Sequence, residues 1–117
     1  MITTDEAERR GLQYDKAGFS TLFDLDAAGV DCEYTIDATY KCGVARFLNH
    51  SCAPNLRQTS VRVDMVSLAL PRIAFFATRN IAPLEELVFD YKYEKTEAGA
   101  GTVRCHCGAP NCRQWLY

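Results

Sequence analysis

A mostly β domain of irregular build, with little helix, is what this sequence predicts. Short runs rich in β-branched and aromatic residues recur between small turns. Only one segment carries helix-start chemistry. Three cysteines crowd the last thirteen residues as Cys105-x-Cys107-x4-Cys112. At 117 residues the chain has the length of one domain. With 48% hydrophobic and 24% charged residues it can bury a core. A net charge of −2 and the lack of a long basic run argue against a nucleic-acid surface and suit a basic peptide partner. No stretch reaches the roughly 18 apolar residues of a membrane span, and Met1–Glu6 lacks the regions of a signal peptide. The expectation is an intracellular protein with reduced thiols, where clustered cysteines point to metal rather than disulfide.

Taken in order, Thr3-x-x-Glu6 is a capping-box pattern and Gly11 a helix stop, so a short helix is expected over residues 4–10. Glu and Arg dominate it, leaving little apolar face. Thr21-Leu22-Phe23-Asp24-Leu25 reads as a strand, then a turn over 26–31, then a short strand at Tyr34-Thr35-Ile36. Val44–Leu48 fits one helical turn. Gln58–Met65 alternates, placing Val61, Val63 and Met65 on one face of a strand. Arg72–Thr78 is a strongly apolar run that predicts a central strand. Ile81–Glu86, with Pro83, reads as a turn before a last strand at Leu87-Val88-Phe89. The polar Glu94–Thr102 stretch, holding Gly99 and Gly101, reads as a linker. The expected organisation is therefore 1–93, a linker over 94–104, and a cysteine motif over 105–117.

Cys105, Cys107 and Cys112 supply three thiolates, whereas a structural zinc takes four ligands. Gly108 and Pro110-Asn111 give the turn chemistry between them. Cys52 is the preferred fourth donor because Asn49-His50-Ser51-Cys52-x-Pro54-Asn55 is dense in polar and turn-forming residues. His106, Cys32, Cys42 or a partner chain remain alternatives. His106 is expected to point away from its neighbours, and Cys32 and Cys42 to be buried free thiols. On residue type alone, Phe89 and Tyr91 read first as core aromatics ending a strand, Asn49 and His50 serve equally as caps of a helical turn, and Pro54-Asn55 is most simply a turn.

Three motifs stand in order: Arg46-Phe47-Leu48-Asn49-His50-Ser51-Cys52-x-Pro54-Asn55, Glu86-Leu87-Val88-Phe89-Asp90-Tyr91, and Cys105-x-Cys107-Gly108-x3-Cys112-Arg113-x2-Leu116-Tyr117. Together they resemble the second half of a SET domain with its post-SET cysteine motif, from about Ile2 to Tyr117. The stretches Ile2–Gly11, Leu22–Asp26 and Pro71–Thr78 resemble most the suppressor-of-variegation branch, heterochromatin enzymes that methylate the ninth-position lysine of the histone H3 tail. The resemblance implies a β-clip-like SET fold with a pseudoknot, S-adenosylmethionine and zinc as cofactors, the H3 tail and chromatin proteins as partners, and a nuclear, chromosomal location. By the same resemblance Asn49, His50 and Tyr117 contact the cofactor, and Tyr91 is the active-site tyrosine. Phe89 is the aromatic that leaves room for di- or trimethylation. Cys52, Cys105, Cys107 and Cys112 are the zinc ligands.

The resemblance begins in the middle of the domain, without the family's N-terminal strands, its Gly-rich cofactor segment or the branch's pre-SET cysteine cluster. The expectation is a fragment or a short form with half a cofactor site. Thr21 stands where relatives commonly carry a channel-facing tyrosine, and Lys41-Cys42-Gly43 replaces a more usual aromatic-Gly-Asn run. The competing expectation is a non-catalytic, zinc-stapled module that binds histone or chromatin.

Overall fold

The computed structural model describes residues 1–16, 21–25, 34–61, 71–92 and 103–116. The chain forms two compact units that interleave along the sequence: Met1–Phe47 with Thr59–Ala74, and Leu48–Gln58 with Phe75–Tyr117.

The first unit is built on a three-stranded antiparallel sheet of β1 (Ile2–Thr3), β2 (Leu22–Asp24) and β3 (Tyr34–Asp37), with β3 in the middle. Ile2 lies opposite Thr35 on one side and Phe23 opposite Ile36 on the other. Thr35, 2% exposed, gives its hydroxyl to Asp24 Oδ1 at 3.0 Å, so its burial leaves no unpaired donor. The helix α1 (Thr4–Lys16) packs on β1 and β3. Thr3 caps it, its Oγ1 accepting the Glu6 amide at 3.4 Å. Asp5 and Glu6 in its first turn and Lys16 in its last oppose the helix dipole.

The helix runs well past its expected end at residue 10. Gly11 does not stop it, because the next turn carries Tyr14, buried, with its hydroxyl on Asp37 Oδ2 at 3.0 Å. A glycine costs a helix interior about 1 kcal/mol, less than an aromatic gains on burial. The helix also has an apolar face, made of Ala7 and Tyr14 with Gly11 between them. It reads as polar because two of those three residues are small. Arg10 joins helix to sheet, bridging Glu6 and Asp37 at 2.7 Å each.

Val44–Phe47 forms the expected single turn, of the 3-10 type. Cys42, expected to be buried, is exposed, in the open Lys41-Cys42-Gly43 turn. Nothing lies within 4 Å of the Gly43 Cα side where a Cβ would stand, so this turn has no packing to hide a thiol. Cys32 and the 26–31 turn lie outside the described residues, as does the 94–102 linker expectation.

The second sheet has four strands in the order β4 (Asn49–His50), β7 (Val88–Phe89), β5 (Leu56–Val61), β6 (Arg72–Ala77). β5 starts two residues before the expected Gln58, and Val63 and Met65 lie outside the described residues. Among the described strands β6 stands at the edge of the sheet rather than its centre, and none of its residues is fully buried. β7 runs parallel to both neighbours, with His50 and Leu56 each opposite Phe89. A late segment thus lies between two earlier ones, the crossing expected of a SET pseudoknot. Leu56 and Phe89, with Ser51 and Asn55, are the buried residues at this crossing.

Candidate metal centre and adjoining cleft

Within the second unit the Sγ atoms of Cys52, Cys105, Cys107 and Cys112 all lie within 4.8 Å of one another. Cys52 Sγ and Cys105 Sγ are 3.8 Å apart. A tetrahedron of ~2.3 Å zinc–sulfur bonds has sulfur–sulfur edges of about 3.8 Å, so the donor set fits zinc. His106 is exposed and supplies no atom to the cluster.

The tail reaches this geometry through tight turns. Gly108 has φ +68°, and the Cys112 amide bonds Ala109 O at 3.0 Å. Arg104 and Trp115 form an antiparallel bridge, with Cys105 N to Gln114 O and Leu116 N to Val103 O both at 2.9 Å. Hydrogen-bond donors surround the sulfurs: Arg113 N on Cys52 and Gln114 N on Cys112, both at 3.4 Å. Burial pushes the Cys105 thiol up to about 12, whereas the amides of Cys52 and Ala109 hold Cys107 down to about 6. A divalent cation removes that disparity by taking all four as thiolates.

Two further contacts join the tail to its anchor. Asn111 Nδ2 donates to Cys52 O at 3.0 Å, and Arg113 Nη2 pairs with Asp90 Oδ1 at 2.7 Å. The second brings the metal loop to the residue beside Tyr91. Arg113 stands in the cysteine motif with no role legible from sequence, since only its partner, 23 positions away, gives it one.

At the crossing, His50 Nδ1 accepts the Tyr91 amide at 3.2 Å, and the two rings meet edge-on with centroids 5.3 Å apart. Burial lowers the His50 pKa, with Asp90 opposing and Arg113 assisting. The Tyr91 hydroxyl donates to Leu48 O at 2.9 Å, and burial pushes its pKa up, so the phenol stays neutral. Phe89, 5% exposed, is wedged between Phe75 and Tyr91, at 4.8 Å from each ring centroid. Asn49 is exposed and donates to Glu86 Oε1 at 2.7 Å.

Asn55, expected only to make a turn, is 1% exposed. Its Oδ1 accepts the Val88 amide at 2.9 Å, and its Nδ2 donates to Glu86 O at 2.8 Å and Glu85 Oε1 at 2.9 Å. Its own carbonyl takes Thr78 N at 2.9 Å. The Arg79 guanidinium, with the Asn55 amide and the Ala82 N–H, holds Glu85 at about 2.

A cleft of about 640 Å³ opens beside these residues, lined by Asn49, His50, Tyr91, Arg104, His106 and Leu116 among others. Asn49, His50 and Tyr91 therefore face one space with the cysteine loop, while Phe89 lies behind it. Tyr117 lies outside the described residues.

The SET-domain family model matches residues 1–92. The chain belongs to the SET-domain family. It is 43% identical over 138 residues to the Danio rerio histone-lysine N-methyltransferase SUV39H1-A, covering 100% of this chain and 33% of that protein. To the Homo sapiens SUV39H2 enzyme it is 42% identical, covering 99% of this chain and 31% of the relative. The chain thus spans about a third of the length of the curated relatives it matches. The Arabidopsis thaliana SUVH6 structure in complex with SAM superposes with a TM-score of 0.78 at 36% identity, over 99% of this chain and 26% of that one. The structure of KRYPTONITE with mCHH DNA, H3(1-15) peptide and SAH gives 0.71 at 38% identity, over 85% of this chain and 21% of that one. The SET fold expected from the motifs, mostly strands with one helix, is the fold the chain has, and its SET relatives here are of the suppressor-of-variegation type.

Proposed function

We propose that this SET chain carries the lysine-channel and post-SET part of an S-adenosylmethionine-dependent histone-lysine methyltransferase. The target is the H3 tail, at its ninth-position lysine, in nuclear heterochromatin. The observation that carries the reading is the shared cleft: Tyr91 and His50 at the strand crossing, walled by a four-cysteine loop suited to zinc. On this reading 1–93 is SET sequence, 94–104 a linker and 105–117 the zinc-bound tail. Cys52, Cys105, Cys107 and Cys112 hold the zinc, whose part is to fix the tail. Asn49 and His50 border the cofactor, and Tyr117 closes over it.

S-adenosylmethionine, when bound, supplies a methyl group on a sulfonium sulfur. The substrate amine needs its lone pair, and a lysine pKa near 10.4 makes the neutral form cost about 4–5 kcal/mol at pH 7. The aromatic ring of Tyr91 on the cleft disfavours the ammonium, and the proton leaves to water. The Tyr91 hydroxyl gives its hydrogen to Leu48 O, which turns its oxygen into an acceptor suited to orient the amine. Alignment of this kind is worth several kcal/mol. Phe89 has no hydroxyl to hold a water, which leaves room for a second and third methyl.

The test is transfer of labelled methyl to an H3 tail peptide, read by peptide mass. Tyr91→Phe should reduce transfer by at least 100-fold. Phe89→Tyr should stop the product at monomethyl-lysine. An unchanged product pattern in Phe89→Tyr defeats the role given to that ring. A zinc-loaded chain that binds H3 peptide without transferring methyl is instead the non-catalytic chromatin module.

A further inference from the structure

His50 touches both the strand crossing and the cysteine cluster. Its Nδ1 accepts the backbone N–H of Tyr91 at 3.2 Å, so that nitrogen carries a lone pair and no hydrogen. A neutral imidazole then holds its one proton on Nε2. That nitrogen lies 3.4 Å from Cys52 Sγ, a good distance for an N–H donor on a sulfur. Arg113 Nη2 is also 3.5 Å from Nε2, but it is a donor only and its short bond goes to Asp90 Oδ1 at 2.7 Å. Asp90 Oδ1 lies 3.6 Å from Nδ1, beyond hydrogen-bond length. Among the described residues, the acceptor facing Nε2–H is therefore the sulfur of Cys52, a cysteine of the metal cluster.

Resting on the metal centre and methyl-transfer reading above, we infer that His50 is a positioning residue that couples the metal to Tyr91. One ring accepts the Tyr91 amide and donates to the Cys52 thiolate, so the ring that orients the tyrosine is oriented by the sulfur. A cysteine bound to a cation is a fixed thiolate and so a strong hydrogen-bond acceptor. Loading the metal thereby fixes the tilt of His50, in the tautomer that the Tyr91 amide already requires, and through it the Tyr91 backbone. Histidines that ligate metals are steered by such outer contacts; here the histidine is the outer contact and the cysteine the ligand.

Two substitutions separate the two bonds. His50→Asn keeps an acceptor oxygen near the place of Nδ1 but cannot reach Cys52. His50→Gln can place an amide N–H near the place of Nε2 but offers Tyr91 nothing at Nδ1. Zinc affinity, by competition with a chromophoric chelator on the full chain, should fall about 10- to 100-fold in His50→Asn and stay at the wild-type value in His50→Gln. Methyl transfer to the H3 peptide by zinc-loaded His50→Gln should fall in kcat although its zinc is retained. Should either variant fail to fold, the wild type decides. Long-range 1H–15N spectra of the zinc-loaded protein should show His50 protonated at Nε2 and bare at Nδ1. An Nδ1–H tautomer, or equal zinc affinity in wild type and His50→Asn, overturns the inference. A wild-type chain that takes up no zinc overturns the metal centre with it. Zinc-loaded protein with the expected tautomer and affinities but no transfer overturns the proposed function and leaves the coupling standing.

Discussion

Asn55 occupies a place in the second sheet that a backbone would otherwise fill. Its side-chain amide accepts from Val88 N–H and donates to Glu86 C=O, as a neighbouring peptide would, one residue before Leu56 begins the true pairing with Phe89. Asn55→Ala leaves both main-chain groups without partners in a site that is 1% exposed. Each such orphan costs about 1–3 kcal/mol, so a loss of roughly 2–6 kcal/mol is expected in chemical denaturation. A loss under about 1 kcal/mol would mean that water replaces the amide without penalty. Nothing local in Pro54-Asn55 announces this role, because its partners stand 30 to 33 residues away. The cysteines are the opposite case: three ligands fall within eight residues, so their spacing alone shows a metal loop. Cys52 needed the character of its neighbours. Arg113 and Asp90, like Asn55, acquire meaning only when the crossing brings their segments together.

At the scale of elements, most strands were legible from β-branched and aromatic runs, and the errors have particular causes. The apolar stretch of β6 suggested a central strand, yet apolar character reports covered faces, not hydrogen-bonded neighbours, and among the described strands β6 lies at an edge. Gly11 is a local stop signal that the helix overrides through Tyr14, whose burial depends on the sheet beneath it. That sheet also carries the acid sensitivity of the first unit. Asp37 is 5% exposed in its side chain, and burial alone would push its pKa up. Bonds from Thr39, the Arg10 guanidinium and the Tyr14 hydroxyl overcome this and bring it from 3.8 down to about 2. A carboxyl depressed on folding contributes stability above its unfolded pKa and loses it as pH falls through the folded one. The contribution is about 2 kcal/mol, complete above pH ~5 and lost between pH ~4 and ~2. The urea midpoint of the wild type should fall more steeply over that window than the midpoint of Asp37→Asn. Parallel acid limbs for the two proteins would remove Asp37 from the account.

For the whole molecule, each of the two compact units is assembled from two stretches of chain, Met1–Phe47 with Thr59–Ala74 and Leu48–Gln58 with Phe75–Tyr117. An interleaved division of this kind leaves no composition shift along the chain, which is why it is not legible from sequence. It has a consequence for metal removal. The four sulfurs all belong to the second unit, and the described tail has few other anchors: the Asn111 bond to Cys52, the Arg113 pair with Asp90, and the Arg104–Trp115 bridge within itself. Surface ion pairs of the Arg113 type contribute at most about 1 kcal/mol, whereas a structural zinc supplies on the order of 10 kcal/mol of binding free energy to the fold that forms its site. A strong zinc chelator at neutral pH should therefore abolish amide-exchange protection over residues 103–116 and weaken it at Ser51 and Tyr91. The α1, β2 and β3 amides of the first unit should exchange as before. Uniform loss of protection in both units would show that the metal supports the entire fold, and unchanged protection in the tail would show that its hydrogen bonds suffice without a metal.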